Sequence, residues 1–304
     1  MAKIRTLLGD IEKSELGFTY VHEHLITFPP LHQKDRDLEL SDYDASLSEL
    51  KTFKSVGGVT LVEASTLDYG RDSAQMVSMS KAASVNVVAV TGFNKSLYFP
   101  KWVEEKSLTE ITDMLIRDVM EGMDGSEHKA GHIKSGSSYN FIHPLEEKVT
   151  RAAALAQKVT GAPLWLHTEA GTMGMEMLDI LEDEGIDLGL VVVGHSDRNA
   201  DPYYHRSMAT RGAYVQFDGP GKVKYYPDSV RVECVKKLLD GGFSKQLLIS
   251  GDMGRASYLA GYGGGPGFAY IKTKFIPRMI AEGVSEENIH RIFVENPADW
   301  LAKF

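Results

Sequence analysis

Residues 18–30 read Phe-Thr-Tyr-Val-His-Glu-His-Leu-Ile-Thr-Phe-Pro-Pro (FTYVHEHLITFPP). A strand-like apolar run ends there in two histidines and passes into a Pro-Pro turn. An open doubly wound sheet usually carries a glycine-rich phosphate loop after its first strand. No Gly-x-Gly-x-x-Gly follows this one, which favours a closed barrel. Seven more runs of similar character follow: 59–63 (VTLVE), 85–90 (VNVVAV), 131–135 (GHIKS), 162–167 (APLWLH), 190–194 (LVVVG), 213–217 (AYVQF) and 246–250 (QLLIS). Helical periodicity fills most of the gaps, as in 144–158, in 176–184 with Met177, Leu178 and Leu181 on one face, and in 228–239. Near-continuous apolar strands alternating with helices imply parallel βαβ units. Eight such units in a chain of 304 residues match the count and size of a (β/α)8 TIM barrel, expected here as a single domain over residues 1–304.

The composition is that of an ordinary globular chain, with 43% hydrophobic and 25% charged residues. The net charge of −9 argues against a nucleic-acid partner, which calls for a basic footprint. A single cysteine, Cys234, excludes an internal disulfide and any cysteine-cluster metal site. No apolar run approaches a membrane span, and charges at Asp10, Glu12 and Lys13 interrupt any signal-peptide core. A cytoplasmic protein with no membrane partner is expected.

The chemistry is read from what ends each strand. His22 and His24 end the first, Lys134 lies in the fourth, His167 ends the fifth, His195 follows the sixth and Asp252 follows the eighth. In a parallel barrel these positions share the catalytic rim. His22 and His24, two apart in a strand, face the same way. Imidazoles converging on a barrel mouth suit a divalent metal. Lys134 is unusual there, because a bare ammonium beside a cation is repelled and costly to bury. Either its head reaches solvent, or it is neutral and acts as a base, or it has reacted with CO2 to give an anionic carbamate able to bridge two cations about 3.5–4 Å apart.

Taken in order, HxH in the first strand, AGHIK, WLHTEAGT, VGHSDR and SGD after the eighth resemble the phosphotriesterase family of the amidohydrolase superfamily. The likeness runs from Gly17 to the terminal Glu295-Asn-Pro-Ala. It implies a (β/α)8 hydrolase with two divalent ions, usually zinc; His-rich sites with oxygen donors also accept manganese or cobalt. His22, His24 and Asp252 would bind the more buried ion, His167 and His195 the more exposed one, and Lys134 would be the carboxylated bridge. The resemblance also suggests a homodimer.

The family includes organophosphate hydrolases, N-acyl-homoserine lactonases and sugar-lactone hydrolases. Here the stretch after Asp252 offers Arg255 and Tyr258, and the one after the seventh strand offers Lys222 and Lys224. Cationic loops at one rim of an acidic protein suggest an anion pocket, and barrels often bind phosphate near the loops after strands seven and eight. With TEAGTMG, GHSDRNADPYYH and FDGPGKVKYYP, the pattern is closest to the phosphorylated sugar-lactone (phosphofuranose lactonase) branch. The expected substrate is a pentonolactone 5-phosphate, opened by a metal-bridging hydroxide with Asp252 as proton shuttle. Lys222, Lys224, Arg255, Tyr258 and Tyr98 are the expected substrate-binding residues. The alternative is a phosphotriesterase or N-acyl-homoserine lactonase on the same metals. The glycine-rich segment 261–267 (GYGGGPG) is expected to be a flexible active-site loop.

Overall fold

The structure is a computed structural model and describes residues 2–304. Eight stretches form the expected barrel. They are β1 (Thr19–Glu23), β2 (Thr60–Glu63), β3 (Asn86–Val88 continuing as Val90–Gly92), β4 (His132–Ser137), β5 (Leu164–Thr168), β6 (Val191–Val193), β7 (Tyr214–Phe217) and β8 (Leu247–Ile249). All adjacent pairs from β1 to β8 run parallel. β3 is interrupted at Ala89; its first half pairs with β2 and its second half with β4.

The helices lie where the 3.6-residue period places them, at Pro144–Thr160, Gly174–Asp183 and Asp228–Asp240 among others. Their ends follow from local chemistry. Pro144 occupies the first turn of its helix, and Gly161, at φ 76°, closes the other end in the left-handed conformation that glycine tolerates. Outward strand residues such as Leu61, Val87, Ile133 and Leu164 pack against helices. Inward residues Val21, Val62, Val88, Trp165, Val192 and Leu248 fill the barrel floor with Trp300. No helix among the described residues is long and apolar enough to cross a membrane.

Two features position the site. The first is a bulge in β1. Tyr20 pairs with Leu61 but Glu23 with Glu63, so three steps on β1 match two on β2. Tyr20 points outward onto Phe53, Val21 points inward to the floor, and His22 also points inward, stacked 3.8 Å from Trp165. A bulge re-aims side chains in this way. The second feature is the join between β8 and β1, where no ladder forms among the described residues. The Asp252 N–H donates to the His22 carbonyl (3.1 Å), and the Ser250 hydroxyl accepts from the His22 N–H (3.0 Å). The same hydroxyl lies 2.7 Å from Glu23 Oε1.

An antiparallel hairpin, Ile4–Thr6 with Gly9–Ile11, precedes the barrel and was not foreseen; three-residue strands are too short for alternation to register. Segment 261–267 also differs from expectation. Gly261 donates to Glu49 Oε1 (2.7 Å) and Phe268 to Glu49 Oε2 (2.9 Å), tying it to helix Tyr43–Ser55, and none of its residues lines the cavity at the barrel mouth. A Cβ on Gly261 would stand 2.3 Å from the Ala45 carbonyl oxygen, so the close approach itself calls for glycine.

Candidate active site

The barrel mouth holds a cavity of about 280 Å³ lined by His22, His24, Lys134, His167, His195 and Asp252. The six residues named from the strand ends are thus together in one pocket. His22 Nε2 and His24 Nε2 each lie 3.5 Å from Asp252 Oδ1. His195 Nε2 and His167 Nδ1 face each other at 2.9 Å. Ligand atoms of His22, His195 and Asp252 all fall within 4.8 Å of one another.

The donor set fits a cation. Two ligands of a tetrahedral ion at about 2.05 Å are about 3.4 Å apart, close to the spacing of the His22, His24 and Asp252 atoms. His22 Nε2 is buried and has no hydrogen-bond partner, an expense that a cation would remove. Burial, helped by Lys134, holds His22 well below the usual imidazole range; burial and Arg198 do the same to His195. Neutral imidazole is the ligating form.

Each of these side chains is fixed from behind. His24 Nδ1 meets the Ser65 hydroxyl (2.8 Å), which donates to Glu63 Oε1 (2.5 Å). His195 Nδ1 meets Asp218 Oδ1 (2.8 Å), and Asp218 is fully buried. His167 Nε2 meets Glu169 Oε2 (3.0 Å), and Lys95 donates to the same oxygen. Metal-binding histidines generally use their second nitrogen so. Glu23 accepts from Ser250, Gly251 N (2.5 Å) and Met253 N (3.0 Å), gripping the backbone on both sides of Asp252. Burial pushes the Glu23 carboxyl up to about 7 against the pull of those donors.

Asp252 Oδ2 receives Arg198 Nη2 (2.6 Å) and Lys222 Nζ (2.9 Å). Burial alone would raise this carboxyl, but Lys222 and His195 hold it well below the ordinary carboxylate range. Lys134 is 1% exposed, and its ammonium finds one acceptor, the Ala64 carbonyl at 3.1 Å. Three donors with one partner is a poor environment for a buried ammonium. Burial pulls its pKa down to about 8, although Asp252, Asp68 and Glu63 act in the opposite direction.

Of the expected substrate residues, Arg255, Tyr258 and Tyr98 line the cavity. Arg255 gives Nη1 to both Asp35 (2.6 Å) and Asp37 (3.3 Å), which leaves its Nε–Nη2 edge without a protein partner. The Tyr258 hydroxyl is buried and unpartnered. Lys224 stands behind this wall, its ammonium 4.9 Å from the Tyr258 ring and 5.1 Å from that of Tyr225. Lys222 does not reach the cavity; its side chain is 0% exposed and its ammonium is held by the Asp252 carboxylate and carbonyl.

Sequence reasoning missed Arg198, Asp218, Glu63, Glu169, Lys95 and Asn94. Glu63 ends β2 and Asp218 directly follows β7, so the strand-end rule that found the histidines would have found both. Arg198 and Glu169 sit inside the GHSDR and HTEAG segments already singled out. His132, which points into the barrel two residues before Lys134, lies on the floor with its ring 5.7 Å from that of Trp300.

Comparison with known families matches residues 2–301 to the phosphotriesterase family. The crystal structure of a lactonase from Listeria monocytogenes superposes with a TM-score of 0.97 at 39% identity, covering 100% of both chains. A phospho-furanose lactonase of Mycoplasmopsis synoviae is 36% identical over 98% of this chain and 91% of its own. The phosphotriesterase homology protein of Escherichia coli, solved with phosphate in its active site, has a TM-score of 0.92 at 36% identity and covers 94% of this chain and 99% of its own.

Proposed function

The chain belongs to the phosphotriesterase family of metal-dependent hydrolases, and we propose that it opens pentonolactone 5-phosphates, phosphorylated sugar 1,4-lactones, at a pair of divalent cations. One observation carries the reading. The cavity that gathers the five histidine and aspartate ligands and Lys134 is also lined by Arg255, whose Nε–Nη2 edge, the side of a guanidinium that forks onto phosphate oxygens, has no protein partner. The phospho-furanose lactonase name and the bound phosphate of the two relatives support it.

His22, His24 and Asp252 would hold the deeper cation and His167 and His195 the outer one. Lys134, carboxylated by CO2, would bridge them. Zinc suits these donors, as do manganese and cobalt. When bound, the cations supply an activated water and Lewis acidity toward the lactone carbonyl. Asp252 takes the proton of the attacking water and passes it toward the leaving ring oxygen. Lys222 and Arg198 orient that carboxylate through Oδ2. Arg255 and the Tyr258 hydroxyl grip the 5-phosphate, and Lys224 adds positive potential from behind Tyr258. Tyr98 bounds the opposite wall. Remote binding of this kind holds the ring in attack geometry.

The test is a panel of 1,4-lactones with and without the 5-phosphate, plus an aryl phosphotriester, on zinc- or manganese-loaded protein. Arg255→Ala is expected to raise KM about tenfold or more for the phosphorylated lactone and to leave the unphosphorylated one nearly unchanged. Equal changes for both would remove the phosphate clamp. Turnover of the phosphotriester alone would transfer the assignment to the alternative hydrolase.

A further inference from the structure

Opposite Arg255 the cavity wall is built by Asn94, Lys95 and Glu169, and none of them is used by the phosphate clamp. Asn94 is 7% exposed. Its backbone is fixed, since the Asn94 N–H donates to both Asp68 oxygens at 3.1 and 3.0 Å. Its carbonyl abuts Gly136, where a Cβ would come within 2.6 Å of it and 2.9 Å of the His167 Cβ. Asn94 and His167 therefore flank the same backbone point of β4. The side-chain amide makes no hydrogen bond with the protein, and Oδ1 is buried without a partner. Leaving such a group unmatched is costly, and native structures leave few. Glu169, which lines the same cavity, uses Oε2 alone for His167 and for Lys95, the residue after Asn94, so Oε1 has no protein partner.

An amide that both donates and accepts, in one cavity with an unpartnered carboxylate oxygen, matches a pair of neighbouring hydroxyl groups. We infer that Asn94, together with Glu169 Oε1, reads the ring hydroxyls of the lactone and so sets which sugar is accepted. This rests on the sugar-lactone reading above. It adds a specificity residue at the end of the pocket away from the phosphate. The arrangement predicts discrimination against deoxy lactones, because an absent hydroxyl returns Asn94 to its unmatched state.

The experiment is a cycle on metal-loaded wild type and Asn94→Ala, using a phosphorylated 1,4-lactone and its 2-deoxy and 3-deoxy forms, each also tested without phosphate. Wild type should lose about 10- to 100-fold in kcat/KM when the hydroxyl that meets Asn94 is removed. Asn94→Ala should lose a similar factor on the parent and little more on that deoxy lactone, while the other deoxy lactone still shows a further drop. The amide has no protein bond to lose, so bound metal and melting temperature should stay near wild type. Additive losses on both deoxy lactones, or a variant that loses metal, would overturn the assignment. If wild type prefers unphosphorylated lactones, the phosphate clamp falls but the same cycle on those lactones still decides Asn94. If no hydroxylated lactone is turned over, both readings fall together.

Discussion

Asp252 works in two directions at once. One oxygen faces His22 and His24, and the other is shared by Arg198 and Lys222. Replacing it by asparagine removes the counter-charge of two buried cations at once. Asp252→Asn is expected to lower kcat by about 10²–10⁴-fold, the usual worth of a positioned proton-transfer group. It should also destabilise the metal-free protein by about 3–5 kcal/mol, the cost of stranding a buried charge. Steady-state kinetics and urea denaturation read the two effects separately; near wild-type kcat would remove the proton-transfer role. Strand-end histidines and this aspartate were legible in the sequence because a barrel turns strand ends into neighbours. The fate of Lys222 was not. Two lysines two residues apart look equivalent in a loop, yet one is sealed against Asp252 and the other stands in the open, a difference decided by three-dimensional packing.

At the scale of elements, the bulge in β1 is what lets Val21 serve the floor while His22 and His24 serve the mouth. Its outward residue, Glu23, is the clamp on the loop after β8. Glu23→Ala would leave the Gly251 and Met253 N–H groups buried without an acceptor, a loss on the order of 3 kcal/mol. Glu23→Gln keeps one acceptor and should recover part of it. Denaturation midpoints and metal content would both follow the series; a fully stable alanine variant would show that the clamp is dispensable. The eight strands were readable because fully buried parallel strands are apolar throughout. The bulge was not, since one extra residue leaves the run FTYVHEH looking like a regular strand. The glycine-rich stretch misled for a related reason. Glycine signals flexibility and close approach alike, and here the approach to Ala45 dominates.

For the molecule as a whole, ladders knit β1 through β8, but among the described residues no ladder joins the last strand to the first; that join is held by the Ser250 hydroxyl, the Asp252 amide and the grip of Glu23 on the Gly251 and Met253 amides. His22 and Asp252 stand on opposite sides of that join. An ion gripping both would work as a rivet through the last stave of the cask, and loading the site and finishing the fold would then be one event. Amide hydrogen exchange in residues 19–25 and 247–253 should slow about 100-fold at a free metal concentration of 100 times Kd. A chelator should reverse the change, and elemental analysis should find two ions per chain. Exchange indifferent to metal would separate ion binding from closure. Coupled closure would make metal supply during synthesis a folding variable: chains made in scarcity would carry a loose stave, vulnerable to proteases along that one edge while the remaining wall stays intact.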